Sequence, residues 1–222
     1  MKTRFLLIII IGLVNLFWIT SSFAEGEQWL QYGSARESSQ MTGITAYREL
    51  EIIKQAPAGI QLPQLKSKDA IFARWTSPLA KGGGIWLALD RTRKYGGYDL
   101  LYIDSNGDGN LKDETAVKPY ETGQNYSYFG PVKLLFEGED GPITYHLNLY
   151  SYASEERKIL YALSACWYEG TVTVQDAKKK CLLIDFDVNG TFDDKNINPA
   201  ASDRIRIAAK DSDETKFVGK YV

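Results

Sequence analysis

The sequence predicts a mostly β chain built from antiparallel, sandwich-like sheets. Three observations carry this expectation. Tyr, Trp, Val, Ile and Thr recur in short runs. Clusters of Gly, Asn and Asp punctuate those runs. After residue 60, no stretch of about 11 residues keeps a helical period. Strands are expected at 71–75, 84–90, 98–104, 132–137, 144–150, 159–165, 170–175, 181–187 and 204–208. Residues 47–54 suit either a short helix or another strand.

The start of the chain reads differently. Lys2 and Arg4 precede an apolar run over 5–20, and Ser22-Phe23-Ala24 follows with small residues where a signal peptidase cuts. That run falls short of the ~20 apolar residues a membrane helix needs. Residues 1–24 are therefore expected to be an export signal, leaving no membrane span after cleavage and a secreted or periplasmic product.

Residues 25–68 are expected to be an irregular leader and linker. The stretch 31–43 is polar, and 56–68 carries Pro57 and Pro63 as a surface connection would. Residues 69–153 and 154–222 then form two β units, each with its own acidic loop. Losing Lys2 and Arg4 with the leader takes the formal charge from −2 to −4. Mild acidity without a long basic run excludes nucleic acid as the natural partner. Cys166 and Cys181 flank one expected hairpin; in an exported chain they suit either a disulfide or two buried thiols.

The acidic loops are "DSNGDGNLKDE" from Asp104 and "DFDVNGTFDD" from Asp185. A shift of 81 residues aligns Asp104 with Asp185, Asn106 with Asp187, Asp108 with Asn189 and Gly109 with Gly190. It also aligns Leu101 with Leu182, Ile103 with Ile184 and Trp86 with Trp167. The repeat suits either a duplication or two similar hairpins in one sheet system.

Calcium takes about 6 to 8 hard oxygen ligands. A loop wound round one ion offers side chains at its first, third and fifth positions, a glycine at the sixth and a carbonyl at the seventh. In the first loop these places hold Asp104, Asn106, Asp108, Gly109 and Asn110, with Asp113 beyond them. In the second they hold Asp185, Asp187, Asn189, Gly190 and Thr191, with Asp193 beyond. Leu111 and Phe192 follow as apolar pins. The twelfth position, where an EF-hand places a bidentate Glu, holds Thr115 or Asn196 instead. Asp and Asn also serve plain turns by bonding their own backbone, but several crowded carboxylates favour a cation among them. Ca²⁺ is the expected ion, on ten residues in all: Asp104, Asn106, Asp108, Asn110, Asp113, Asp185, Asp187, Asn189, Thr191 and Asp193.

With "FARWTSPLAKGGGIWLALDRTRKYGGYDLLYIDSNGDGNLKDE", "FGPVKLL", "WYEGTV" and "KKKCLLIDFDVNGTFDDKNINPAASDRIRI", the chain resembles a group of exported bacterial proteins. These pair two EF-hand-like DxNxDG loops with Trp/Tyr/Gly-rich strands and have no assigned activity. The resemblance spans about residues 71–208 and implies calcium, export and β structure.

Other chemistry is thinner. His146, the single histidine, alternates with apolar residues and is expected on a solvated strand face. One His and two Cys are too few for the usual zinc sets. No G-x-S-x-G is present, and Gly82-Gly83-Gly84 lacks a following GK[ST]. Trp75, Trp86, Tyr95, Tyr98, Trp167 and Tyr168 suit a β core or a sugar-stacking platform. Asp90, Asp99, Glu169 and Asp203 are the acids a glycosidase pair would draw on. The sequence thus supports an exported calcium-binding β module, structural or ligand-binding, whose partner is an envelope or extracellular glycan or protein. The alternative is a polysaccharide-active hydrolase with structural calcium.

Overall fold

The longest hairpin pairs two 13-residue strands, Tyr126–Gly138 and Gly141–Ala153. It turns tightly at Gly141, whose φ of +126° suits glycine. Along the second strand Tyr145, Leu147 and Leu149 are buried on one face, while Thr144, His146, Asn148 and Tyr150 take the other. That period of two is what makes the segment a strand. A bulge between Phe129 and Val132 shifts the register of the pair, and Gly130 sits there with φ +110°. A Cβ at Gly130 would lie 2.8 Å from the Leu147 carbonyl oxygen.

The computed structural model describes residues 28–94, 96–208 and 216–218. The expected export signal at 1–24 and the aromatic Tyr95 lie outside the described residues. In chain order the strands are β1 Gln31–Ser34, β2 Tyr47–Glu49, β3 Ile71–Trp75, β4 Ile85–Asp90, β5 Leu100–Ile103, β6 Glu121–Thr122 and β7 Tyr126–Gly138. They continue as β8 Gly141–Ala153, β9 Lys158–Ser164, β10 Cys166–Val174, β11 Ala177–Ile184, β12 Arg204–Ala208 and β13 Lys216–Phe217. Among the described residues, the helical elements are the short α1, Ser38–Thr42, and a 3-10 turn at Pro199–Ala201.

Among the described residues these strands pair antiparallel and make three sheets, ordered β2-β9-β8-β7-β6, β1-β10-β11-β12-β13 and β3-β4-β5. The mostly β, antiparallel class read from the sequence is the observed one. The segment expected to be irregular is not wholly so. Gln31–Ser34 pairs with β10, and Gly33 makes room for the Trp167 indole, which a Cβ would meet at 2.6 Å. Residues 47–49 resolve the ambiguity at 47–54 as an edge strand on β9.

One apolar cluster draws on every sheet. Trp75, Ile85 and Leu87 come from the three-stranded sheet, Leu134, Tyr145 and Leu147 from the long hairpin, and Trp167, Leu182 and Ile184 from the third. Each fully buried large side chain contributes roughly 1.5–3 kcal/mol, so the meeting of the three sheets is where stability concentrates. Strand β9 joins β8 across the 153/154 boundary drawn between the two units.

Cys166 and Cys181 are free and buried, which settles the choice between disulfide and thiols. Cys166 follows the β9–β10 corner and sits near the His146 carbonyl, while Cys181 pairs opposite Gly170 in the β10–β11 ladder. His146 corrects the solvated-face expectation. It is half-buried under Tyr32, whose hydroxyl lies 2.9 Å from Nδ1, because β1 and its neighbours cover that end of the sheet. Burial and the nearby Lys133 push its pKa down.

Candidate metal centre

The two acidic loops leave equivalent places. Each follows the last strand of an antiparallel hairpin, β4–β5 or β10–β11. In both loops the first aspartate turns inward and caps the backbone that wraps it. Asp104 accepts from the N–H groups of Asp108 and Gly109, both at 3.0 Å. Asp185 accepts from Asn189 at 3.2 Å and Gly190 at 2.7 Å. The glycine at the sixth position has positive φ in each, +79° at Gly109 and +100° at Gly190. The apolar pin holds the first loop down: Leu111 is buried beside Phe72, Ala88 and Tyr102. Phe192 packs on the main core, edge-on to Tyr168.

A second equivalence was hidden in the sequence. Glu114 reaches back to the Ser105 N–H at 2.7 Å. Asp203 reaches back to the Phe186 N–H at 3.0 Å. Ser105 and Phe186 each follow the first aspartate of their loop, so Glu114 and Asp203 close the two loops in the same way. The second loop only takes longer to return, through the 3-10 turn and on to β12.

What differs is convergence. Asp185, Asp187 and Asp203 bring one carboxylate oxygen each to within 4.8 Å of one another. Asp185 and Asp203 are fully buried. Tyr145 donates to Asp185 Oδ2 at 2.7 Å. Asp203 is clipped in place by the Asp194 N–H on Oδ2 at 2.9 Å, while its own N–H donates to the Asp194 carbonyl. Asp187 Oδ1 is buried and has no protein partner. Burial pushes the Asp185 carboxyl up to about 7, against the bonds from Tyr145 and Gly190. Burial and the charge of Asp185 push Asp203 up to about 8. Asp187 is raised too, by burial and then by Asp194. Three carboxyls that resist ionisation together are what a cation would stabilise in ionised form. The group can hold a metal ion.

Asn189 lies beside this group, with Nδ2 donating to Asp194 Oδ2 at 2.8 Å and Oδ1 accepting from the Thr191 N–H at 2.8 Å. Asp193 is exposed, and Asp194 rather than Asp193 faces the cluster. In the sequence Asp203 stands out only as one of the acids a glycosidase pair would draw on. In the first loop, Asn106 and Asp108 are exposed and bonded to each other at 3.0 Å, Asp108 Oδ1 accepts from Asn110 N, and Asp113 points outward. No three acids converge there; the Asp185 group is the one such cluster among the described residues.

The other acids serve backbone. Asp90 is buried and accepts from the N–H groups of Lys66, Ser67 and Arg91. Asp99 holds Thr92 and pairs with Arg93. Glu169 is exposed on β10. Trp75, Tyr98 and Trp167 are core rather than platform.

Comparison of the chain with protein-family models, with curated proteins and with solved structures finds no match in any of the three.

Proposed function

We propose that this chain is an exported calcium-binding β module, with a structural or ligand-binding role at the cell envelope or outside the cell. The observation that carries the reading is the buried oxygen cluster of Asp185, Asp187 and Asp203, with one Asp187 oxygen left without a partner. An all-carboxylate set with no His or Cys suits a hard cation, and calcium tolerates the irregular ligand count a loop provides. The ion neutralises charge that burial otherwise disfavours and ties the second loop to the sheets around it. Asn189 and Asp194 stand beside the three aspartates and complete the oxygen-rich surroundings. The first loop, with Asp104, Asn106, Asp108, the Asn110 carbonyl and Asp113, is a second and weaker site of the same kind. Export follows from the leader at 1–24, and the resemblance to exported proteins with paired DxNxDG loops agrees with both proposals.

The test is calcium titration calorimetry after chelation, with a thermal melt in parallel. Binding with a raised melting temperature, lost in Asp185→Ala, supports the reading. Absence of heat and of any melting shift up to about 10 mM calcium, above the roughly millimolar range of weak extracellular sites, overturns it.

A further inference from the structure

The outer face of the β2-β9-β8-β7-β6 sheet carries a feature that the ion site does not use. Tyr128, Tyr150 and Tyr161 stand directly opposite one another on β7, β8 and β9. Their ring centroids are 4.7 and 6.1 Å apart. Tyr126 joins from β7, its ring nearly parallel to Tyr150 at 6.4 Å, and Tyr120 lies 6.0 Å from Tyr128. Tyr47 on the edge strand closes the far end, 5.3 Å from Tyr161 and 59% exposed. Six tyrosines thus form one unbroken track across the sheet, and the five besides Tyr47 are half-buried. This face is not needed for the core, which Tyr145, Leu147, Leu149 and Leu160 fill from the other side.

The Tyr120 end opens into a cleft of about 360 Å³ lined by Arg36, Glu37, Tyr120, Tyr128 and Asn148. The Arg36 guanidinium sits over the Tyr120 ring at 4.5 Å. Asn148 is almost wholly buried on the cleft wall. Its Nδ2 donates to the Arg36 carbonyl, and its Oδ1 has no donor. Glu37 and Glu121 line the cleft against the one cation Arg36, and exposed Glu49 pairs opposite Tyr161 on the track.

We infer that this tyrosine track and its cleft bind a neutral polysaccharide. A pyranose presents a flat C–H face to aromatic rings and a rim of hydroxyls to flanking polar groups, and the track offers both kinds of surface in a line. The carboxylates beside it disfavour a polyanion. A proline-rich peptide also docks on aromatic grooves, but proline has no N–H, so such a segment is poor in the donors that the exposed glutamates Glu37, Glu49 and Glu121 accept. Hydroxyls supply them. The inference gives the binding role proposed above a ligand class, but on a face separate from the ion site. Its failure leaves the calcium reading untouched, and a failed calcium titration leaves this face to be tested alone.

The experiment is retardation of the purified protein in native gels cast with hydroxyethylcellulose, dextran or mannan, followed by calorimetry on the polymer that retards it. Tyr150→Ala and Tyr161→Ala are expected to weaken binding about fivefold to tenfold each, as loss of one stacked ring implies. Tyr161→Phe, which keeps the ring, is expected to retain most of the affinity. Exposed Tyr47→Ala serves as the variant least able to disturb folding, with unchanged melting as its control. Retardation by none of the three polymers overturns the inference. So does binding that the ring deletions leave unchanged, or capture of a polyproline peptide by this face in place of any polysaccharide.

Discussion

Tyr145 and Asp185 are joined by a 2.7 Å hydrogen bond from phenol to carboxylate, running from the central strand of one sheet to the loop that leaves another. Both groups are fully buried. The third sheet meets them there: Trp75 stacks on Tyr145 at 5.4 Å, and its indole N–H donates to the Val188 carbonyl at 2.7 Å. The candidate metal centre is therefore built on the joint between sheets, not on a free loop. Tyr145→Phe keeps the ring and deletes the bond. It is expected to cost about 1–3 kcal/mol, the range for a buried bond to a charged group or an acceptor left short of a donor. Urea unfolding in chelator measures this. Calcium affinity should fall by roughly tenfold, since the phenol orients a ligand. A variant that unfolds and titrates like the parent would show the bond to be incidental.

Asp187→Asn separates stability from ion binding. Asp187 Oδ2 already accepts from Asn189 Nδ2 at 3.3 Å, and Oδ1 has no partner. An amide there keeps the acceptor, adds a donor toward Asp185 and removes one of three crowded acids. In chelator at neutral pH the variant should melt higher than the parent. In excess calcium the order should reverse, because a carboxylate ligand is gone. Melting curves under both conditions check this, and a loss of stability in both would count against the crowded-charge account.

Much of this fold was legible. The runs 71–75 and 204–208 are strands with the bounds the sequence predicts, because the first is a short apolar run between turn signals and the second alternates Arg with Ile. Residues 31–34 were not legible: a four-residue polar edge strand has no pattern of its own, and only pairing with β10 makes it one. In the second loop Asp185 and Asp187 follow from the D-x-D-x-N-G spacing. Asp203 does not, since it lies beyond any 12-residue window and enters only because β12 returns beside Ile184. The sign that would have found it is an acid directly before a strand that follows an acidic loop. Of the tyrosine track only the alternation at 126 and 128 is visible in the sequence. Its continuity depends on cross-strand register, which one strand's sequence does not fix.

The apo protein should lose stability as pH rises. Asp185 and Asp203 have folded-state values raised to about 7 and about 8 by burial, while unfolded aspartates titrate near 3.9. Between these limits the folded state binds more protons than the unfolded one, so the stability falls with increasing pH. The contribution is complete below about pH 4 and is lost as pH rises through about 7 to 8. Calcium needs the ionised carboxylates, so the gap between calcium and chelator melts should widen over the same window. Denaturation midpoints at several values from pH 5 to 8.5 test this. A chelator curve that climbs with pH across the window would refute the assignment of these groups as protonated in the apo fold.

The two loop glycines offer a contrast between a loop that is packed and one that is not. Both need positive φ, so alanine is strained at either, by roughly 1–2 kcal/mol. At Gly109 that strain is the whole cost, since the nearest atom to a Cβ is the Ile60 Cδ1 at 3.6 Å, an ordinary contact. At Gly190 the same Cβ would meet Ser77 Oγ at 2.8 Å and the Trp75 ring at 3.0 Å. Ser77 is buried and Trp75 is held by the Val188 carbonyl, so neither yields freely. Gly190→Ala should therefore destabilise more than Gly109→Ala, by about 1–3 kcal/mol, the usual penalty for overpacking a core. It should also weaken calcium binding more, because the Gly190 N–H that fixes Asp185 moves with the loop. Chemical denaturation of the two variants in chelator decides the first point and calorimetry the second. Equal losses would mean that the second loop gives way as easily as the first, and that the core does not hold Asp185 in place.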